Sequence, residues 1–210
     1  MPTIPPGRTT DWLAGVTIAV WVLASVAGFN DYLIALAGFM PARLSGTIEL
    51  AGAVPALLTP WTSALLHGGL LHLGFNMLML FYCGRFVERV IGGPLLLLLY
   101  AAGALGAAAA QFLPDPQSLI PTIGASGALS AVVAAYAIYF GRGGTRAVGP
   151  FSAHASRVLS LAAAWIGIQA LVGFATVDSG VSIAIAAHIG GFLTGLLLAR
   201  PLLLWRYRAA

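Results

Sequence analysis

The residues Ile123-Gly124-Ala125-Ser126-Gly127-Ala128-Leu129-Ser130 open an apolar run that continues to Phe140. Small side chains dominate the stretch, and glycines flank its first serine. Small residues recur wherever membrane helices pack closely, and a serine in such a helix most often bonds back to its own backbone. The stretch is therefore either a packing seam or the mouth of a reactive site. What lies at the same depth elsewhere in the chain decides between the two.

Composition fixes the setting. Of the 210 residues, 60% are hydrophobic and only 8% are charged. A soluble domain carries about 25% charged residues, so this chain cannot cover a water-facing surface. The fold class is an all-α polytopic membrane protein. The net charge of +4 rests on arginine, since the chain has no lysine. The arginines fall in short segments between apolar runs, where they report topology rather than nucleic-acid binding. Cys83 stands alone, which excludes an intrachain disulfide and a cysteine-based metal cluster. No metal and no cofactor is expected.

Six apolar runs read as transmembrane helices, at 12–29, 70–86, 94–112, 123–140, 158–174 and 181–199. They form one membrane domain, 12–200, between short tails at 1–11 and 201–210, the first read as disordered. The apolar core of the first run is long for a cleaved signal peptide, and further spans follow. Residues 30–69 are too apolar for a solvated linker, so they read as a membrane-associated loop anchored by Trp61. An even number of spans puts both termini on one side. That side receives Arg8, Arg85, Arg89, Arg142, Arg146, Arg157, Arg200, Arg206 and Arg208, while the other receives only Arg43. The excess gives an N-in, C-in topology.

The second, fourth and sixth runs then travel from outside to inside. Their early polar residues share one depth in the outer half of the bilayer. These are His72 and Asn76, Ser126, and His188 within Ala187-His188-Ile189-Gly190-Gly191. His72 and Asn76, four residues apart, lie on one helix face. Polar groups inside a membrane are costly and face a bundle interior or a wet cavity. Singly, each has a structural explanation, and His67, His154, Gln111 and Gln169 are read as structural or left unpartnered. The set is harder to dismiss: a hydroxyl, an imidazole and two further donors, brought to one level by different helices.

Those groups have a specific chemistry. A serine hydroxyl becomes a nucleophile when a neutral imidazole takes its proton. His188 is the candidate base, and later the acid toward a leaving amine. The oxyanion that develops needs preorganised donors. The backbone N–H of Ser126 lies at a helix N-terminus and lacks an intrahelical partner, and the side chains of His72 and Asn76 can add two more. No carboxylate joins the set, so the arrangement is a Ser–His dyad.

Three motifs, in order, carry a family resemblance. They are His67, His72 and Asn76 with their spacing, Gly124-Ala125-Ser126-Gly127, and Ala187-His188-Ile189-Gly190-Gly191 with Gly195. Gly84-Arg85 and Glu88 add to it. From about Trp61 to Ala199 the chain resembles the rhomboid intramembrane serine proteases. The resemblance implies a six-helix bundle that cleaves substrate transmembrane segments near the outer face. It implies Ser126 as nucleophile, His188 as base, and His72 and Asn76 as oxyanion donors. It also implies a membrane-embedded first loop and a mobile fifth span gating the substrate. Two positions depart from the pattern. Thr62 follows Trp61 where many members have arginine, and Ser130 stands where many have an aromatic that stacks on the catalytic histidine.

The expected partners are single-span membrane proteins and lipid, and not nucleic acid. The compact form points to a bacterial plasma membrane. A rhomboid-like protein that binds transmembrane clients without cutting them is the alternative, and relatives of that kind usually lack the serine or the histidine. A transporter would show paired repeats or charged pathway residues, and neither is visible. Within the opening stretch, Gly124 is expected to leave room for substrate and Gly127 to let the fourth span pack against the sixth.

Overall fold

A computed structural model describes residues 4–141, 152–175 and 184–208. Arg142, Arg146, Asp178 and the expected start of the last span at 181–183 lie outside these residues. The described chain is helical. In order it forms α1 (Arg8–Val26), α2 (Asn30–Ala37), α3 (Pro41–Leu44), α4 (Thr59–Thr62), α5 (Leu70–Met79), α6 (Arg85–Ile91), α7 (Gly93–Phe112), α8 (Ser126–Phe140), α9 (Ala153–Ala175) and α10 (Ile185–Arg206). Short 3₁₀ turns at Ala56–Leu58 and Ser63–Leu65 flank α4.

Four helices among the described residues are long and apolar enough to cross a membrane: α1, the continuous run Leu70–Ile91, α7 and α10. Large apolar side chains point outward, with Leu23 70%, Val26 84%, Leu70 68% and Leu197 75% exposed. Alanine, glycine and serine fill much of the interior. A soluble protein would invert this arrangement, so the bundle is that of an integral membrane protein. Apolar lipid removes the drive to bury leucine and leaves close helix packing as the main source of order.

The bundle is built around α8. Its Ala- and Val-rich sequence offers no polar face for solvent, and a helix that is apolar all round is buried. Ser126, Ala128 through Ala135, and Ala137 are all buried. It packs against α7, α10 and α9, and against the run from α5 to α6. That run contains a π-helical turn, Leu80–Gly84, which was not legible in the hydropathy. The turn resets the helix face between His72 and Asn76 at one end and Arg85 and Glu88 at the other. The helical run also continues past the expected end at Phe86 to Ile91.

Residues 8–10, expected in a disordered tail, are the first turn of α1. The reason is an acceptor supplied from another helix. Gly7 gives α1 no side-chain cap. Instead the Glu88 carboxylate accepts the Thr9 and Thr10 N–H groups, each at 2.9 Å, and the Thr10 hydroxyl at 2.7 Å. A carboxylate at a helix N-terminus satisfies orphan donors and the helix dipole together. Beside it, Arg85 pairs with Asp11 at 2.7 Å.

The segment 30–69 is a folded platform. Arg43, the lone arginine on its side of the expected topology, donates to the backbone carbonyls of Leu36 and Val54. Thr62 donates to the Ala37 carbonyl at 2.6 Å, and the Trp61 indole reaches the Ala101 carbonyl of α7 at 3.1 Å. The departure from a Trp-Arg pair thus leaves the platform tied, with Arg43 supplying its guanidinium contacts.

Replacing Glu88 with alanine strands the donors of the first turn of α1. The expected cost is about 2 kcal/mol, read as a lower thermal unfolding midpoint in detergent micelles, with glutamine intermediate. An unchanged midpoint would show that α1 is not held from Glu88.

Candidate active site

The chain enters α8 along the platform. Phe39 and Thr122 exchange backbone hydrogen bonds of 3.1 and 2.7 Å, and the Gly124 N–H donates to the Ser63 carbonyl at 2.9 Å. Gly124 has φ +106°, a conformation that side chains other than glycine rarely adopt. A Cβ there would also sit 2.6 Å from Nε2 of His72. Gly124 thus makes room for the His72 imidazole.

Two residues further on, α8 begins at Ser126. Its hydroxyl lies 2.8 Å from Nε2 of His188, in the first turn of α10. Both residues are buried, at 6% and 5% exposure, so the pair is shielded from bulk solvent.

Glycines set that distance. A Cβ on Gly191 would fall on the carbonyl oxygen of Gly127, and one on Gly195 would fall on that of Ala131. The two glycines are one helical turn apart, and so are the two carbonyls they meet. On a neighbouring face of α10, Gly190 presses on the Gly106 carbonyl of α7. The last helix is thereby wedged between α7 and α8. Gly127 contributes differently from expectation. Its carbonyl faces α10, but a side chain at this position would meet the Ala107 methyl of α7 at 2.6 Å.

His72 and Asn76 occupy buried positions on α5. The His72 ring abuts Gly124 and meets the His67 ring edge-on, with centroids 4.9 Å apart. The Asn76 Nδ2 donates to the His72 carbonyl at 2.8 Å, within its own helix. That bond uses one of the two hydrogens on Nδ2 and leaves the other. The remaining polar atoms, Oδ1 of Asn76, Nδ1 of His72, both ring nitrogens of His67 and Nδ1 of His188, are buried without a partner among the described residues. Gln111 Oε1 is similarly placed, while the side chains of His154, Arg157 and Gln169 lie outside those described.

One neighbour was not legible in the sequence. Ser130, fully buried, donates to the Ser126 carbonyl at 2.8 Å and accepts the indole N–H of Trp165 at 2.6 Å. Trp165 is on α9 and is 2% exposed. A tryptophan in an apolar span reads as packing, and nothing in its spacing links it to Ser130.

The chemical capacity of the site follows from its parts. When Nε2 of His188 is unprotonated it accepts the hydrogen of the Ser126 hydroxyl, which puts the ring proton on Nδ1. Beside them the N-terminus of α8 presents backbone N–H groups to any anion that forms there.

A buried hydroxyl–imidazole pair at helix starts, inside a membrane bundle, defines a class of intramembrane helical proteins with a serine–histidine site. The chain belongs to the rhomboid family, whose sequence profile, described as "Rhomboid domain", matches residues 55–205. It is 32% identical over 184 residues to "Rhomboid protease GlpG" of Pectobacterium atrosepticum, covering 88% of this chain and 59% of that protein. It is 42% identical over 73 residues to "Rhomboid protease GluP" of Bacillus subtilis, 35% of this chain and 13% of that protein. "RHOMBOID-like protein 5" of Arabidopsis thaliana is 33% identical over 140 residues, 66% of this chain and 42% of that protein. The chain thus spans less than two thirds of the length of each of these relatives.

Gly191→Ala places a methyl on the Gly127 carbonyl and must displace α10, carrying His188 with it. Labelling of Ser126 by a fluorophosphonate is expected to slow on the order of 100-fold. Gly127→Ala presses on α7 instead and should slow labelling less. Equal rates for Gly191→Ala and wild type would refute the wedge.

Proposed function

We propose that this chain is an intramembrane serine endopeptidase that cuts transmembrane segments of membrane-protein substrates near the outer face. The observation that carries the reading is the buried 2.8 Å contact between Ser126 Oγ and His188 Nε2 at the start of α8. Family membership adds support, since two of the relatives are described as rhomboid proteases.

In this reading Ser126 Oγ attacks the scissile carbonyl carbon as His188 Nε2 takes its proton. The oxyanion is met by the Ser126 N–H, by His72 and by the second Nδ2 hydrogen of Asn76. His188 returns the proton to the leaving amine as the C–N bond breaks. A water, deprotonated by the same imidazole, then hydrolyses the acyl-serine and frees the hydroxyl. Among the described residues no carboxylate bonds Nδ1 of His188. Substrates are single-span proteins whose helices unwind easily, because a helical carbonyl is hydrogen-bonded and shielded from attack.

The topology that goes with it has six spans with both termini inside. Membrane domain 12–200 would lie in a bacterial plasma membrane, with the site opening outward. The arginine distribution supports this orientation. The 15-residue α8 and the 23-residue α9 would supply the two spans beyond the four long apolar runs.

Cleavage of a model single-span substrate by the detergent-solubilised protein tests the reading. Ser126→Ala and His188→Ala should each lower the rate by about 10³-fold or more. His72→Ala and Asn76→Ala should cost about 10²-fold each. Cleavage that persists in both dyad variants sinks the assignment. A wild type that binds several substrates and cuts none is instead a client-binding protein.

A further inference from the structure

We propose that Trp165 is a positioning residue for the Ser126–His188 pair, acting through Ser130. The inference rests on the protease reading for the reaction it serves, and on the hydrogen bonds around Ser130 for its mechanism.

Ser130 touches the surroundings of both members of the pair. Its hydroxyl donates to the carbonyl of Ser126 at 2.8 Å. That carbonyl belongs to the peptide plane joining Ser126 to Gly127, so the bond fixes the plane from which the Ser126 side chain departs. On the other side, Ser130 Cβ lies 3.1 Å from where a Cβ on Gly191 would stand. Gly191 is three residues beyond His188, on the turn that carries the imidazole. A serine here is small enough to stay inside the α8–α10 seam.

What keeps the Ser130 hydroxyl aimed at Ser126 is the indole. A hydroxyl has one hydrogen and rotates to suit its neighbours. At Ser130 the Trp165 N–H occupies the acceptor side at 2.6 Å, which leaves the hydrogen to point at the Ser126 carbonyl. Trp165 has only a donor to offer, so the direction of the chain is fixed: indole to hydroxyl to carbonyl. Ser130 is fully buried and Trp165 nearly so, hence neither can exchange its partner for solvent. An indole whose N–H is buried must find an acceptor, and a buried polar chain is costly when half satisfied. The position of α9 against α8 is thereby tied to the geometry of the nucleophile.

The Trp165 ring, from α9, acts through the Ser130 hydroxyl.

The test is a double-mutant cycle with Trp165→Phe, Ser130→Ala and the pair combined. Three quantities are read: fluorophosphonate labelling of Ser126, kcat and KM on a single-span substrate, and the thermal midpoint. Trp165→Phe keeps the ring and removes the donor. Each single variant should lower the labelling rate and kcat by roughly tenfold, with KM unchanged within about twofold. The combined variant should lose no more than Ser130→Ala alone, because both changes break the same chain from indole to carbonyl. A purely structural contact would lower the midpoint and leave the labelling of the folded fraction unchanged, which would overturn the inference. Effects confined to KM, or losses that multiply in the double variant, would overturn it as well. Should Trp165→Phe fold poorly, Ser130→Ala against the combined variant still shows whether the indole affects kcat once the hydroxyl is gone, and any further loss there would overturn the inference. A wild type that neither labels nor cleaves sinks the protease reading and the positioning role with it. An active wild type with uncoupled variants sinks this inference alone.

Discussion

The distance between α8 and α10 is the constraint on which the rest depends. Two glycines of one helix lie over two carbonyl oxygens of the other, at matching one-turn intervals, and no side chain fits between them. Backbones that approach this closely fix both the rotation and the register of a helix, because a slip along either axis drives a carbonyl into a Cα. Register at Gly191 and Gly195 sets where His188 stands. The 2.8 Å contact with Ser126 is therefore a consequence of packing three and seven residues away. A membrane interior has no solvent to squeeze helices together, and close contact through small residues replaces that force.

Around this seam the chain solves a second difficulty, which is how to begin α8 in the right place. Gly124 is pinned by its N–H to Ser63, adopts a positive φ, and leaves space for His72. Ser63 of the platform and His72 of α5 therefore locate the first turn of α8. The Arg43, Thr62 and Trp61 bonds hold that platform to itself and to α7. At the other end of the bundle, Glu88 starts α1 in the same indirect way, through atoms of a different helix. In both cases the helix start is decided by a partner distant in sequence. The local capping signals that usually announce a helix are absent there.

Burial raises the stakes of every polar atom near Ser126. The unpartnered atoms of His67, His72, Asn76 and His188 cluster on the helices and platform around the serine. Groups of this kind are costly when buried unless bonded, so their concentration beside Ser126 marks the place where a polar reactant or water would find partners. Ser130 and Trp165 are the counterexample beside them, a fully satisfied pair.

Sequence by itself determined the membrane class and most of the helices, and it singled out Ser126, His188, His72 and Asn76 as candidates, of which the structure brings Ser126 and His188 into contact. Hydropathy and polarity report burial in lipid directly, and a polar side chain in an apolar run stands out without knowing its neighbours. The roles of the glycines were only half legible. That Gly124 and Gly127 matter was readable from φ-permissive, small residues in a row, but which neighbour each one admits was not. His72 at Gly124 and Ala107 at Gly127 are separated from them in sequence. The π-helical turn, the Glu88 cap and the Trp165–Ser130 bond were decided by tertiary structure alone. Each depends on where two helices cross, and a crossing is a property of the whole bundle that no single stretch of chain encodes.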